Sequence, residues 1–80
     1  MDEYKMYITT NPAILCGKPI IKGTRISVEL IVRNIGAGAT IEYLLDAYPH
    51  IKREEILAAL KYAAAVIDCK EKLVEFRIKN

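Results

Sequence analysis

A chain of 80 residues holds one domain, because so short a chain buries only about 60% of its unfolded surface and cannot sustain two cores. Its composition, 52% hydrophobic and 28% charged, lies in the globular range and excludes disorder over most of the length, and its net charge of +2 is too small to mark a nucleic-acid binder by itself. No apolar run approaches the roughly 20 residues that span a bilayer, and the start Met1-Asp2-Glu3-Tyr4-Lys5 is acidic where a signal peptide is basic, so a cytoplasmic protein with no membrane association is expected.

Tyr7-Ile8-Thr9 reads as a short strand ended by Asn11-Pro12. Pro19-Ile20-Ile21 and Arg25-Ile26-Ser27 flank Lys22-Gly23-Thr24, which predicts a small hairpin or two consecutive bends. Ser27 is a good N-cap, and Val28, Ile31, Val32 and Ile35 behind it mark the buried stripe of a helix that stops near Gly36. Thr40 caps a second helix with Ile41, Leu44, Leu45 and Tyr48 on one face, ended by Pro49. A third helix carries Ile56, Leu60, Ala63, Ala64 and Ile67 on one face and runs to about Cys69. From Leu73 to Asn80 the chain alternates, Val74, Phe76 and Ile78 against Glu75, Arg77 and Lys79, which predicts a half-buried strand needing a partner. The expected fold is mainly α: a trihelical helix-turn-helix in a single domain 1–80. Short strands and turns fill 1–27, three helices fill 28–69, and a C-terminal strand or tail fills 70–80.

Two short helices joined by a tight turn, with a third packed across them, form the arrangement whose second helix enters the DNA major groove by its N-terminal residues. Here those residues are Lys52, Arg53, Glu54 and Glu55, with Lys61 a little over two turns beyond Arg53. Cations at a helix start oppose the macrodipole, so a reason other than helix stability is needed for Lys52 and Arg53; pairing with Glu54, Glu55 or a neighbouring acid is the plain alternative. Arg25 and Lys22, in a glycine-flanked turn, are further candidates for DNA contact, with Lys18 and Arg33 as additional phosphate ligands. An ion pair to Glu29 is the alternative for Arg25, and surface solvation for each of the others.

Cys16 and Cys69 are far apart, with no zinc-ligand or disulfide-framework spacing, and His50 has no nucleophile or acid cluster beside it. No metal or cofactor is expected, and His50 reads as a turn residue. With no nucleophile-base set to assemble, the chain is expected not to be an enzyme. Tyr43 lies off its helix's apolar stripe and, with Val74, Phe76 and Ile78, is a candidate for partner binding, whereas Tyr62 reads as packing.

The string ITTNPAILCGKPIIKGTRI, Ile8 to Ile26, followed by Ser27-Val28, a glycine-containing helix end, Ile41 to Pro49-His50 and Ala59-Leu60-Lys61-Tyr62-Ala63, resembles a small prokaryotic family, domain of unknown function number four hundred and thirty-three. The resemblance covers roughly Tyr7 to Ala64, and Gly17, Lys18, Pro19, Gly23, Thr24 and Arg25 match its motif. It implies a homeodomain-like helix-turn-helix protein of antitoxin type that binds DNA and pairs with a PIN-like ribonuclease toxin. On that resemblance the chain is read as a regulator that binds its own promoter, and as a homodimer because pairing adds apolar burial that so short a chain lacks; the alternative is a protein-protein adaptor that never touches DNA. Gly23 and Pro19 read as architectural and Arg25 as the contact residue. Lys52 departs from the family, which often places Ser or Thr before the last helix, and this leaves the helix start open.

Overall fold

The structure, a computed structural model, describes residues 4–78, with side chains defined over 4–69. Two short strands, β1 (Ile8–Thr9) and β2 (Ile20–Ile21), pair antiparallel with Ile8 opposite Ile21 and Thr9 opposite Ile20. Three helices follow: α1 (Val28–Gly36), α2 (Ile41–Ala47) and α3 (Arg53–Ile78). The fold is mainly helical, as expected.

Both predicted caps are in place. Ser27 Oγ accepts the Leu30 N–H at 2.9 Å and Thr40 Oγ1 accepts the Tyr43 N–H at 3.0 Å, each satisfying a donor that the first helical turn leaves unpaired. At the end of α1 the Ala37 and Gly38 N–H groups bond back to Arg33, Asn34 and Ile35 carbonyls, with Gly38 at φ +105. Asn34 also closes on this helix by donating from Nδ2 to the Leu30 carbonyl.

The core is one cluster. Ile8 and Ile21 from the sheet, Val28 and Ile31 from α1, Leu44 from α2, Ile51 from the corner and Ile56, Ala58 and Ala59 from α3 are all buried. The alanines let α3 approach α1 closely, and its broadest contact is with that helix.

The turn between β2 and α1 folds back as a minimal hairpin. Ile20 bridges to Ser27, the Ile21 N–H donates to the Ile26 carbonyl at 2.9 Å, and Val28 N–H donates to the Pro19 carbonyl at 3.0 Å. Its second arm is one bridge and not a strand, because Ser27 must turn to cap α1; the strand partner of β2 is β1.

One expectation is corrected. The segment read as a C-terminal strand is the last part of α3, which runs unbroken through Ile78, well beyond the end expected near Cys69. Extending a helix already nucleated fixes one residue per hydrogen bond gained, and Lys70-Glu71-Lys72-Leu73 are good helix formers. A lone strand there would have needed an edge to pair with. Val74, Phe76 and Ile78 therefore lie on helical backbone, their side chains outside the described residues, as are Lys79 and Asn80 altogether.

Candidate functional site

Tyr48 ends α2, and the Ile51 N–H donates to its carbonyl at 3.1 Å, closing a tight corner around Pro49 and His50. Ile51 is buried and anchors the corner, while His50, Lys52, Arg53 and Glu54 remain exposed. The head of α3 thus stands in solvent. Glu55 turns back to accept the Lys52 backbone N–H at 2.8 Å, the acid's half of a capping box; with Lys52 at the cap there is no hydroxyl for the other half, and the Glu55 N–H bonds the Lys52 carbonyl at 3.0 Å.

Arg53 does not pair with the acids of its own helix. Its guanidinium donates to Glu42 on α2 at 2.8 Å, tying the two helices together across the corner. The Arg53 hydrogen bond, then a bond to Glu42's own backbone and the guanidinium charge, hold the Glu42 carboxyl below its ordinary value of 4.5. Lys52 has no carboxylate partner among the described residues.

On the neighbouring face of α3, Glu54, Leu57 and Lys61 border a shallow depression of about 290 Å³ shared with Met6 and Tyr7. Leu57 is 40% and Met6 73% exposed, so this face mixes charge with open apolar surface.

Arg25 and Lys22 are exposed, without carboxylate partners among the described residues. Arg25 borders a second depression of about 480 Å³ with Thr9, Asn11, Ile14 and Thr24, which shares no lining residue with the first. Lys22 stands beside the first depression, its N–H donating to the carbonyl of Tyr7 at 2.8 Å. Glu29 does not pair with Arg25; it accepts from Lys18 at 3.0 Å and from Arg33. Those two cations, Arg33 first, hold the Glu29 carboxyl below its ordinary value of 4.5.

The remaining motif residues are mostly architectural. Gly17 and Gly23 sit at φ +81 and +78, where an L side chain is strained, and Gly17 closes a left-handed turn in which Leu15 and Cys16 also have φ of 50 and 57. Thr24 Oγ1 donates to the Ile21 carbonyl at 2.8 Å and accepts the Ile26 N–H at 3.0 Å, fixing the turn that leads to Ser27. Tyr43 is 58% exposed, as its place off the stripe suggested, and half-buried Tyr62 packs edge-on against Tyr4 at 5.3 Å. Sequence reasoning missed Glu42 as the partner of Arg53 and Lys18 as a partner of Glu29; both lie 11 residues away, beyond any helical spacing that would point to them.

The profile of the family described as "Protein of unknown function (DUF433)" matches residues 8–63. The chain belongs to the DUF433 family. The DUF433 chain is 38% identical over 58 residues to "Uncharacterized protein y4eO" of Sinorhizobium fredii (strain NBRC 101917 / NGR234), an overlap of 72% of this chain and 26% of that protein. It therefore spans about a quarter of that relative's length. A crystal structure of a DUF433 member protein from Anabaena variabilis superposes with a TM-score of 0.73 at 28% identity, over 85% of this chain and 67% of that one. The DUF433 match takes in the glycine-rich turn and the helices as far as Ala63, and leaves the outer half of α3 outside it. Among the described residues of this DUF433 chain no helix is long and apolar enough to cross a membrane.

Proposed function

We propose that this chain is a cytoplasmic helix-turn-helix regulator of antitoxin type that binds its own promoter as a dimer, pairs with a PIN-like ribonuclease toxin and has no catalytic activity of its own. The observation that carries the DNA-binding reading is the exposed head of α3, which presents Lys52 and Arg53 at a tight corner behind α2, with exposed Lys61 about 12 Å further along the helix. An exposed ion pair such as Arg53 with Glu42 contributes little to stability, so a DNA phosphate can take the place of the carboxylate at small cost. Arg25 and Lys22 serve as further phosphate contacts. The toxin pairing rests on the family resemblance, with exposed Tyr43 as its candidate surface.

A band-shift titration on the DNA upstream of the gene tests the assignment. The wild-type chain is expected to shift it and the double variant Lys52→Ala, Arg53→Ala to bind at least tenfold more weakly, each lost charged contact being worth about 1 kcal/mol or more. Equal binding by the double variant removes this helix from the interface. Turnover of RNA by the purified chain alone contradicts the non-enzymatic reading.

One observation favours the adaptor reading: Leu57 and Met6 place open apolar surface beside acidic Glu54, where a phosphate backbone is repelled and a protein partner is not. Binding to a protein partner that persists at high salt, with no shift of any DNA at low salt, selects the adaptor.

A further inference from the structure

The stripe of α3 that packs into the core does not end where the core ends. Ile56 and Ala59 are fully buried and Ala63 is half-buried, but from Ala64 to Cys69 every residue is exposed, while the helix runs on to Ile78, about 22 Å beyond Ala63. The same stripe continues through Ile67, 48% exposed, to positions 74 and 78, a valine and an isoleucine. At its root an almost wholly apolar groove of about 300 Å³ opens between α1 and α3, bordered by Pro19, Val28, Val32, Tyr62, Val66 and Ile67. A helical overhang of this length gains little stability in water unless something covers its apolar face.

The overhang's own sequence supplies the cover. Positions 63, 67, 74 and 78 are apolar and symmetrically spaced about the midpoint between 70 and 71, the one place where the stripe carries charge, as Lys70-Glu71. An antiparallel pairing about that midpoint sets Ile67 opposite Val74 of a second copy, Ala63 opposite its Ile78, and Lys70 opposite its Glu71. A parallel pairing sets Lys70 against Lys70 and Glu71 against Glu71, which repel. We propose that the outer half of α3 pairs antiparallel with that of a second copy of this chain, whose helix end closes the groove between α1 and α3. This names a two-fold contact for the dimer of the functional reading but is independent of DNA, since Lys52 and Arg53 lie at the other end of α3.

Sedimentation equilibrium of the full chain tests it through a charge swap. The wild type is expected to dimerise, Lys70→Glu and Glu71→Lys each to raise the dimer Kd roughly tenfold by setting like charges opposite at two symmetric places, and the double variant to return to within about threefold of wild type. Residues three and four positions from Lys70 are Val66, Ile67, Leu73 and Val74, so its reversal removes no charge pair within the helix, while Glu71→Lys meets Asp68 and Glu75 at those spacings and strengthens the helix; cooperative thermal unfolding confirms that the variants fold. A wild type that stays monomeric at about 100 μM, single variants that dimerise as tightly as wild type, or a double variant that does not recover each overturns the proposal.

Discussion

Arg53 and Glu42 hold each other at 2.8 Å across the corner between α2 and α3, and both are exposed. Because Glu42 titrates below its ordinary value of 4.5 in the folded chain, its contribution to stability is fully present above that value and is lost as pH falls through the lowered one. Glu29, held down by Arg33 and Lys18, has the same sign. Acid titrations of the folded chain followed by circular dichroism are therefore expected to show stability falling below about pH 4.5, with a shallower fall in Glu42→Gln and Glu29→Gln variants. On the DNA-binding reading Glu42→Gln also frees Arg53 and removes an anion beside it, so this variant is expected to bind promoter DNA several-fold more tightly; weaker binding would count against Arg53 as a contact. The pairs of Arg53 with Glu42 and Lys18 with Glu29, each 11 residues apart, were not legible in the sequence. Glu29 stands four residues after Arg25, but the break at Ser27 already told against an in-helix pair in the sequence; Ser27 caps α1 and leaves Arg25 outside it, while Arg33, four residues on within the helix, and Lys18 reach the carboxylate.

Elements were legible where their signals are local. Ser27 and Thr40 each announce a helix because the cap bond reaches only three residues ahead, and both bonds are present. Replacing either by Ala is expected to cost about 1 kcal/mol, read as a lowered urea midpoint at unchanged slope; loss of less than a few tenths would show that the caps contribute little. The left-handed turn at Leu15–Gly17 had no such signal, since only Gly17 advertises a positive φ. There Cys16→Gly relieves a backbone strained at φ 57 and is expected to stabilise the chain by about 0.5–1 kcal/mol; destabilisation would mean that the Cys16 side chain makes a needed contact. The end of α3 was misread because alternation over a few residues is also compatible with helix, and what decides between them is the upstream helix that extends into it.

At the scale of the whole molecule, the core was legible for the stripe residues Val28, Ile31, Leu44 and Ile56, all inside, whereas Ala64 and Ile67, read on the stripe of α3, are exposed and Ala58 and Ala59 are buried. Leu44, fully buried where α2 meets the other elements, is the most informative truncation; Leu44→Ala is expected to cost about 2–5 kcal/mol, enough to unfold a domain of this size at moderate denaturant. The candidate site was legible only in part. Lys52 and Arg53 were placed correctly at an exposed helix head, but the apolar neighbours Met6 and Leu57 come from elements far apart in sequence, and no spacing rule could join them. The central claim, that the head of α3 meets a phosphate backbone, is tested most directly by the salt dependence of DNA affinity. Log K is expected to fall linearly with log salt, by about 0.9 per phosphate neutralised, and the slope to shrink by about 2 in the Lys52→Ala, Arg53→Ala variant. A slope identical in wild type and variant, or no binding even at low salt, would contradict it.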